Sequence, residues 1–242
     1  LSLESSSEKY GPFILENLNI PMSEQRQIQS INDGSLDIMW VMTSKQREES
    51  ALPIRIPLLK GLLGYRVLVI RENQINKFAE IKNTDSLKKL VAVQGFGWPD
   101  YEILQANGFN VASSEWYSTI FKSLSKGFYD YFPRSVIEVW AEKEQIKSSK
   151  LVIDKKNLLV YPTAIYFFVG KNNTKLAERI EYSLLQAITQ GSFEQLFTNY
   201  PTHQQTFNII DWKNRKIHLL TNPLLPIETP INNKKLWFQL SP

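Results

Sequence analysis

The chain has 242 residues, 43% hydrophobic, 21% charged and 12% aromatic, an ordinary globular composition with enough apolar content for one large core or two smaller ones. Its 28 Lys and Arg against 24 Asp and Glu give a formal charge of +4, scattered rather than gathered into a tract, which argues against nucleic acid as a partner. Cysteine is absent and the two histidines, His203 and His218, lie in the C-terminal tail, which argues against disulfides, thiolate chemistry, a zinc site or a histidine triad.

No apolar run approaches the roughly 20 residues of a membrane-spanning helix, and "LSLESSSEKY" does not read as a signal peptide. A soluble chain is expected, either a mature or a trimmed form. "FILENLNI" reads as a strand. "SEQRQIQSINDGSLDIMWV" predicts a helix of about ten residues capped by Ser23, a stop at Asp33-Gly34, and a strand rich in β-formers. The charged cluster "MTSKQREES" follows. "LPIRIPLLKGLLGYRVLVI" then leads through prolines and glycines into "RVLVI", which alternates too little to be half exposed and reads as a buried strand of a mostly parallel sheet.

In "TDSLKKLVAVQGFGWPDYEILQANGFNV" a short capped helix precedes the strand "LVAVQ", a glycine loop, a helix from about Pro99 and a strand near "FNV". "YSTIFKSLSKGFYDYFPRSVIEVWAEKE" reads as a helix ending at Gly127, the strand "YDYF", and another helix after Pro133. "NLLVYPTAIYFFVG" is the most apolar run, proline-interrupted and rich in β-formers, and two helices follow it, "TKLAERIEYSLLQAITQG" and "SFEQLFTNY". The "NNT" at Asn172 reads as a loop before the first of these. From Pro201 the tail is expected to be irregular apart from the strand-like "KIHLL".

Alternating β and α elements predict an α/β protein with room for two lobes. Ligands of such sheets bind at the carboxyl ends of strands, which singles out "TSKQR", "GFGWPD" and "PRSVIE". Arg47 in the first is either an anion holder or the partner of Glu48 or Glu49 at a helix start.

The segments "GSLDIMW", "MTSKQREES", "PLLKGLLGYRVLVI", "LVAVQGFGWPDYEIL", "LSKGFYDYFPRSVIE" and "AERIEYSLLQAITQGSFEQLF", in this order from about Ile28 to Tyr200, resemble the solute-binding protein family 3 of bacterial periplasmic binding proteins, the amino-acid-binder-related group. The resemblance implies a two-lobed, type II periplasmic-binding-protein-like α/β fold, each lobe a mostly parallel sheet flanked by helices. Lobe one would comprise 1–70 and 161–242, with the family's first strand and most of its first helix missing ahead of "SSSEKYGPF", and lobe two 71–160. The implied function is to close two lobes around a small organic ligand for a transporter, with no cofactor and no catalytic group.

Within the family the arginine of a "T/S-x-x-R" motif holds the ligand carboxylate, and the motif falls on Ser44 and Arg47. A guanidinium pairs bidentately with a carboxylate, on the order of 1.5 to 3 kcal/mol. The lobe-two loop "QGFGWPD" departs from the pattern: Phe96 and Gly97 stand where threonines often follow the first glycine. Gly95 and Gly97 form either a tight turn or an anion cradle of backbone N–H groups, and Trp98 either a wall against the ligand or a core residue.

Where amino-acid binders place an acid for the ligand's ammonium, this chain has Arg134. Two arginines would suit an anionic ligand. Alternatively Arg134 pairs with Glu138 four residues on, or Glu138 takes the ammonium. Trp40 is a further candidate; with Tyr65, Trp98, Trp116, Tyr117 and Tyr131 it is either core or hinge packing or, for a few of these residues, a lining suited to a ligand with a ring or an apolar body. The implied partners are an anionic small molecule and a membrane permease or sensor, for a monomeric periplasmic protein. Alternatives are a sensory module, or a dehydratase-like enzyme on the same fold using Asp100, Glu102 or Glu138.

Overall fold

The computed structural model describes residues 2–20, 22–211 and 213–239. Along the chain run α1 (Ser2–Ser5), α2 (Ser7–Tyr10), α3 (Glu24–Asp33), β1 (Ile38–Met42), α4 (Lys45–Ser50), β2 (Leu52–Ile54), β3 (Tyr65–Arg71), α5 (Ile75–Ala79), α6 (Thr84–Lys88), β4 (Val91–Gly95) and α7 (Pro99–Ala106). They continue with β5 (Asn110–Ser114), α8 (Tyr117–Ser125), β6 (Tyr131–Ser135), α9 (Lys143–Ser148), β7 (Leu151–Ile153), β8 (Asn157–Val160), β9 (Ile165–Val169), α10 (Thr174–Thr189), α11 (Ser192–Asn199), α12 (Pro201–Ile209) and β10 (Lys216–Leu219). No helix among the described residues is long and apolar enough to cross a membrane.

The chain divides into two compact units. The first holds the residues through Lys60, Ala164–Tyr200 and Leu225–Phe238. Its sheet has the order β1-β9-β2, with β9 antiparallel to both neighbours. Local chemistry sets the entry to this sheet: the Ser23 hydroxyl caps α3 by accepting from the Arg26 amide, and Gly34 ends it with φ +81°. Ile31 of α3 packs on Met39, Ala51, Tyr166 and Phe168 on one side of the sheet, while Ile180 and Leu184 of α10 pack with Ile54 and Val169. Burying a side chain of this size contributes about 1.5–3 kcal/mol. Gly170 lets α3 come close, since a Cβ there would lie 2.2 Å from the Ile31 carbonyl oxygen.

The segment "FILENLNI", expected as a strand, has neither strand nor helix. Ile14, Leu15, Leu18 and Ile20 are exposed. β-Propensity alone does not make a strand; a neighbouring edge must supply the ladder, and none does so here.

The second unit holds Gly61–Thr163, Pro201–Leu224 and Gln239. Its sheet has the order β10-β8-β3-β6-β4-β5, and β7 also pairs with β3. Parallel pairing joins β4 to β5, β4 to β6 and β10 to β8. β3 runs antiparallel to β6, β7 and β8. Val67 to Ile70 of β3 are fully buried, which accounts for the continuous apolar run in the sequence, but the strand, expected among parallel neighbours, is antiparallel to all three of its partners. Leu68, Ile70, Phe78, Leu87, Ile103, Leu104 and Tyr131 form the core.

The chain passes from one unit to the other after Lys60, Thr163, Tyr200, Leu224 and Phe238, so β3 and Pro201–Leu224, both expected in the first lobe, belong to the second unit. Two further expectations are corrected. Pro133 to Ser135 extend the strand β6, and a series of turns rather than a helix follows, with Glu138 and Val139 amides both bonded to the Ser135 carbonyl. The tail opens with helix α12, tied down where the Trp140 indole donates to Thr206 at 2.9 Å and the Thr206 hydroxyl donates to the Val136 carbonyl at 2.6 Å. Those partners are distant in sequence, so no local signal marks the helix.

Candidate functional site

Because β5 and β6 both run parallel to β4, the carboxyl ends of these three strands lie together in the second unit. β4 ends at Gly95, and a turn closes it with the Trp98 amide bonded to the Gly95 carbonyl at 3.1 Å. Gly97 adopts φ +73°, a conformation that an L side chain resists. The Trp98 indole folds back over Gly95 so closely that a Cβ there would stand 2.4 Å from the ring. The two glycines thus serve a turn and a close approach. The Phe96 amide bonds to the Ser114 carbonyl at 2.8 Å, joining the loop after β4 to that after β5, and Phe96 and Trp116 are exposed on these loops.

Pro99 starts α7, and Asp100 in its first turn is buried. Asp100 accepts from Arg66 of β3 at 2.6 Å and from the Tyr161 hydroxyl, while Arg66 Nε donates to Tyr161 Oη at 2.9 Å. Burial pulls the Arg66 guanidinium toward neutrality, and Asp100, Tyr161 and Glu138 outweigh it, raising the pKa above the ordinary arginine value. Burial holds the Tyr161 phenol well above its usual range, with Arg66 opposing and Asp100 adding to the shift.

Arg134, near the end of β6, makes its tightest pair with Glu142: Nε is 2.9 Å from both carboxylate oxygens and Nη2 2.5 Å from Oε1. Tyr117, first residue of α8, also donates to Glu142, and burial followed by this bond raises the phenol's pKa. The Arg134 guanidinium carbon lies 5.1 Å from the Phe132 ring, 5.3 Å from Trp98 and 5.8 Å from Tyr117, so aromatic faces fix its plane. Trp98 in turn stacks on Phe132, with centroids 6.3 Å apart. It is half-buried and joins core to loop.

Glu138 joins the two halves of the cluster. Its Oε2 lies 3.2 Å from Arg66 Nη1 and 3.4 Å from Arg134 Nη2. The turn after β6 swings it there, so the spacing of four from Arg134 produces an ion pair outside any helix. Its side chain is 38% exposed, against 8% for Glu142 and 6% for Asp100. The cluster therefore holds two guanidiniums and three carboxylates, with Glu138 alone of the charged groups open to solvent to this extent.

The remaining candidates lie in the first unit. Ser44 caps α4 by accepting from the Arg47 amide at 3.3 Å. The Arg47 guanidinium is held bidentately by Glu24 of α3 and donates to the Met42 carbonyl at 2.7 Å. Glu48, expected as a local partner, instead accepts from Thr43 at 2.6 Å and pairs with Arg55. Trp40 is exposed on β1. The structure thus gathers Gly95, Gly97, Trp98, Arg134 and Glu138 in the second unit and Trp40, Ser44 and Arg47 in the first.

Sequence reasoning passed over Arg66, Tyr161 and Glu142. Arg66 had a signal, because a lone charge in the buried run "YRVLVI" requires a partner. Glu142 had none, being eight residues beyond Arg134 across irregular turns.

No family model matches the chain, and no curated protein matches it in sequence. Solved structures do match in fold. An ancestral arginine-binding protein bound to arginine is 17% identical over 81% of this chain and 84% of its own, with a TM-score of 0.56. An amino acid ABC transporter substrate-binding protein from Streptococcus pneumoniae bound to L-arginine is 15% identical over 86% and 81%, TM-score 0.57. A putative ABC transporter binding component from Wolinella succinogenes complexed with lysine is 15% identical over 75% and 76%, TM-score 0.56. The first of these neighbours is named as a binding protein and the other two as binding components of ABC transporters, and this chain shares their α/β fold.

Proposed function

We propose that this chain is the solute-binding component of an amino-acid transporter, acting in the periplasm and handing a small carboxylate-bearing solute to a membrane permease. The observation that carries the reading is the cluster of guanidiniums, carboxylates and aromatic rings at the carboxyl ends of β4, β5 and β6, on a fold shared with amino-acid-binding proteins. The expected anionic ligand gives way to an amino acid, zwitterionic or cationic. Arg47 and Arg134 each carry carboxylates of the chain itself, and the neighbours named above hold arginine and lysine.

In this reading Trp40, Ser44 and Arg47 of the first unit and Gly95, Gly97, Trp98 and Arg134 of the second contribute to ligand binding, and Glu138, paired with Arg134, governs access to that arginine. Ser44 acts through the cap that positions Arg47, and Gly95 and Gly97 through the turn that seats Trp98. Isothermal titration with L-amino acids, dicarboxylates and aromatic acids tests it. Saturable binding of an amino acid, weakened in Arg47→Ala, is the expected outcome. A panel in which none binds the native protein refutes it, and undiminished binding in Arg47→Ala removes that residue from the site.

A further inference from the structure

In the second unit, two buried guanidiniums share one exposed carboxylate. Arg66 has Asp100 at 2.6 Å and Arg134 has Glu142 at 2.5 Å, both with acceptors almost wholly buried. Glu138 bridges the same two guanidiniums at 3.2 and 3.4 Å with a side chain 38% exposed. Its bonds are the longest in the cluster, its charge is the most easily solvated, and it hangs on a turn rather than a helix or strand. Moving it into water therefore costs less than moving either buried partner.

We propose that the Arg66–Arg134 pair is an oxyanion seat, occupied in this structure by the chain's own Glu138, and that the carboxylate of an incoming solute takes the seat as Glu138 swings into solvent. The seat is preorganised. Asp100 and Tyr161 fix Arg66 from one side, and Glu142 with the rings of Trp98, Phe132 and Tyr117 fixes Arg134 from the other. Neither guanidinium needs to rebuild its surroundings when one oxygen ligand replaces another. Exchange of carboxylate for carboxylate also leaves the charge facing the two arginines unchanged, so no buried charge is stranded at any stage. Glu138 thereby sets a threshold: a solute must outcompete a tethered carboxylate, which discriminates against neutral analogues that cannot replace its charge.

The experiment uses acetate as a free stand-in for the missing side chain. Glu138→Ala is expected to melt below the native protein in sodium chloride, and to regain at least half of the loss when chloride is exchanged for acetate at equal ionic strength. The native protein, with its seat filled, is expected to show no such shift. Equal melting of Glu138→Ala in acetate and chloride overturns the seat. Identifying the incoming group with the solute rests on the transport reading, and a second measurement separates the two. For any amino acid that binds, its α-amide is expected to bind about tenfold or more weakly, and Glu138→Gln to bind the acid more tightly than the native protein. An amide that binds as well as the acid overturns the carboxylate exchange. Acetate rescue without binding of any amino acid keeps the seat and removes the transport reading.

Discussion

Replacing Glu142 by Gln tests whether the cluster is held by its buried pairs. In the native protein the Glu142 carboxylate accepts a bifurcated bond from Arg134 Nε, 2.9 Å from both oxygens, one from Nη2 at 2.5 Å and one from Tyr117. The amide carries no charge and turns one of its ends into a donor facing donors. Stripping one partner from a buried ion pair costs about 3–5 kcal/mol, and Glu138, still 3.4 Å from Arg134, offsets part of this. A net loss of about 3 kcal/mol lowers the melting temperature of a chain this size by about 6–12 °C. Glu138→Gln removes the same charge from an exposed position with longer bonds, and should cost under about 1 kcal/mol, or less than about 4 °C. Differential scanning calorimetry of both variants reads the contrast directly. Equal drops, or a larger one for Glu138→Gln, would show that burial does not rank these pairs.

The same Glu142→Gln variant should lower the ionisation pH of Tyr117, since the bond to Glu142 and its charge add to burial in raising it, and tyrosinate absorbance measures this. His218 is buried, with Nδ1 3.1 Å from Thr84 Oγ1 and Nε2 3.1 Å from Asn157 Oδ1; burial first and Lys216 second lower its pKa to about 4, against Asp154. The unfolded chain takes up this proton near pH 6.5 and the folded one only near 4, so stability falls as pH drops through that window, by at most about 3 kcal/mol. Denaturant melts across that range should show a shallower slope in His218→Gln, and an unchanged slope would remove His218 from the effect. Gly64→Ala would set a Cβ 2.0 Å from the Tyr161 carbonyl oxygen, a backbone clash worth about 3 kcal/mol, whereas Gly97→Ala meets open space and costs about 1–2 kcal/mol from its positive φ alone. Urea midpoints in the reverse order would contradict both assignments.

What the sequence determined by itself are the features whose causes lie within a turn or two of chain. The Ser23 cap and Gly34 stop of α3, the start of α7 at Pro99, the buried strand "RVLVI" and the β-forming character of the proline-interrupted run "NLLVYPTAIYFFVG" follow from capping groups, φ preferences and apolar patterning. The candidate loop after β4 was legible for the same reason, whereas "PRSVIE", expected to follow its strand, begins inside β6. "FILENLNI" shows the limit, since its pattern is that of a strand and its outcome depends on whether an edge is within reach.

Only tertiary structure decided the partners of the charges. Arg47 pairs with Glu24, 23 residues earlier, and not with its neighbours Glu48 or Glu49. Arg134 finds its spacing-of-four partner Glu138, but its tighter bond goes to Glu142. Arg66, inside an apolar run, is kept charged by Asp100 and Tyr161 from α7 and the chain after β8. A buried charge must be matched by whatever carboxylate the fold delivers within about 3 Å, because leaving it bare costs more than any local preference offers. Sequence spacing does not encode that distance. Packing does.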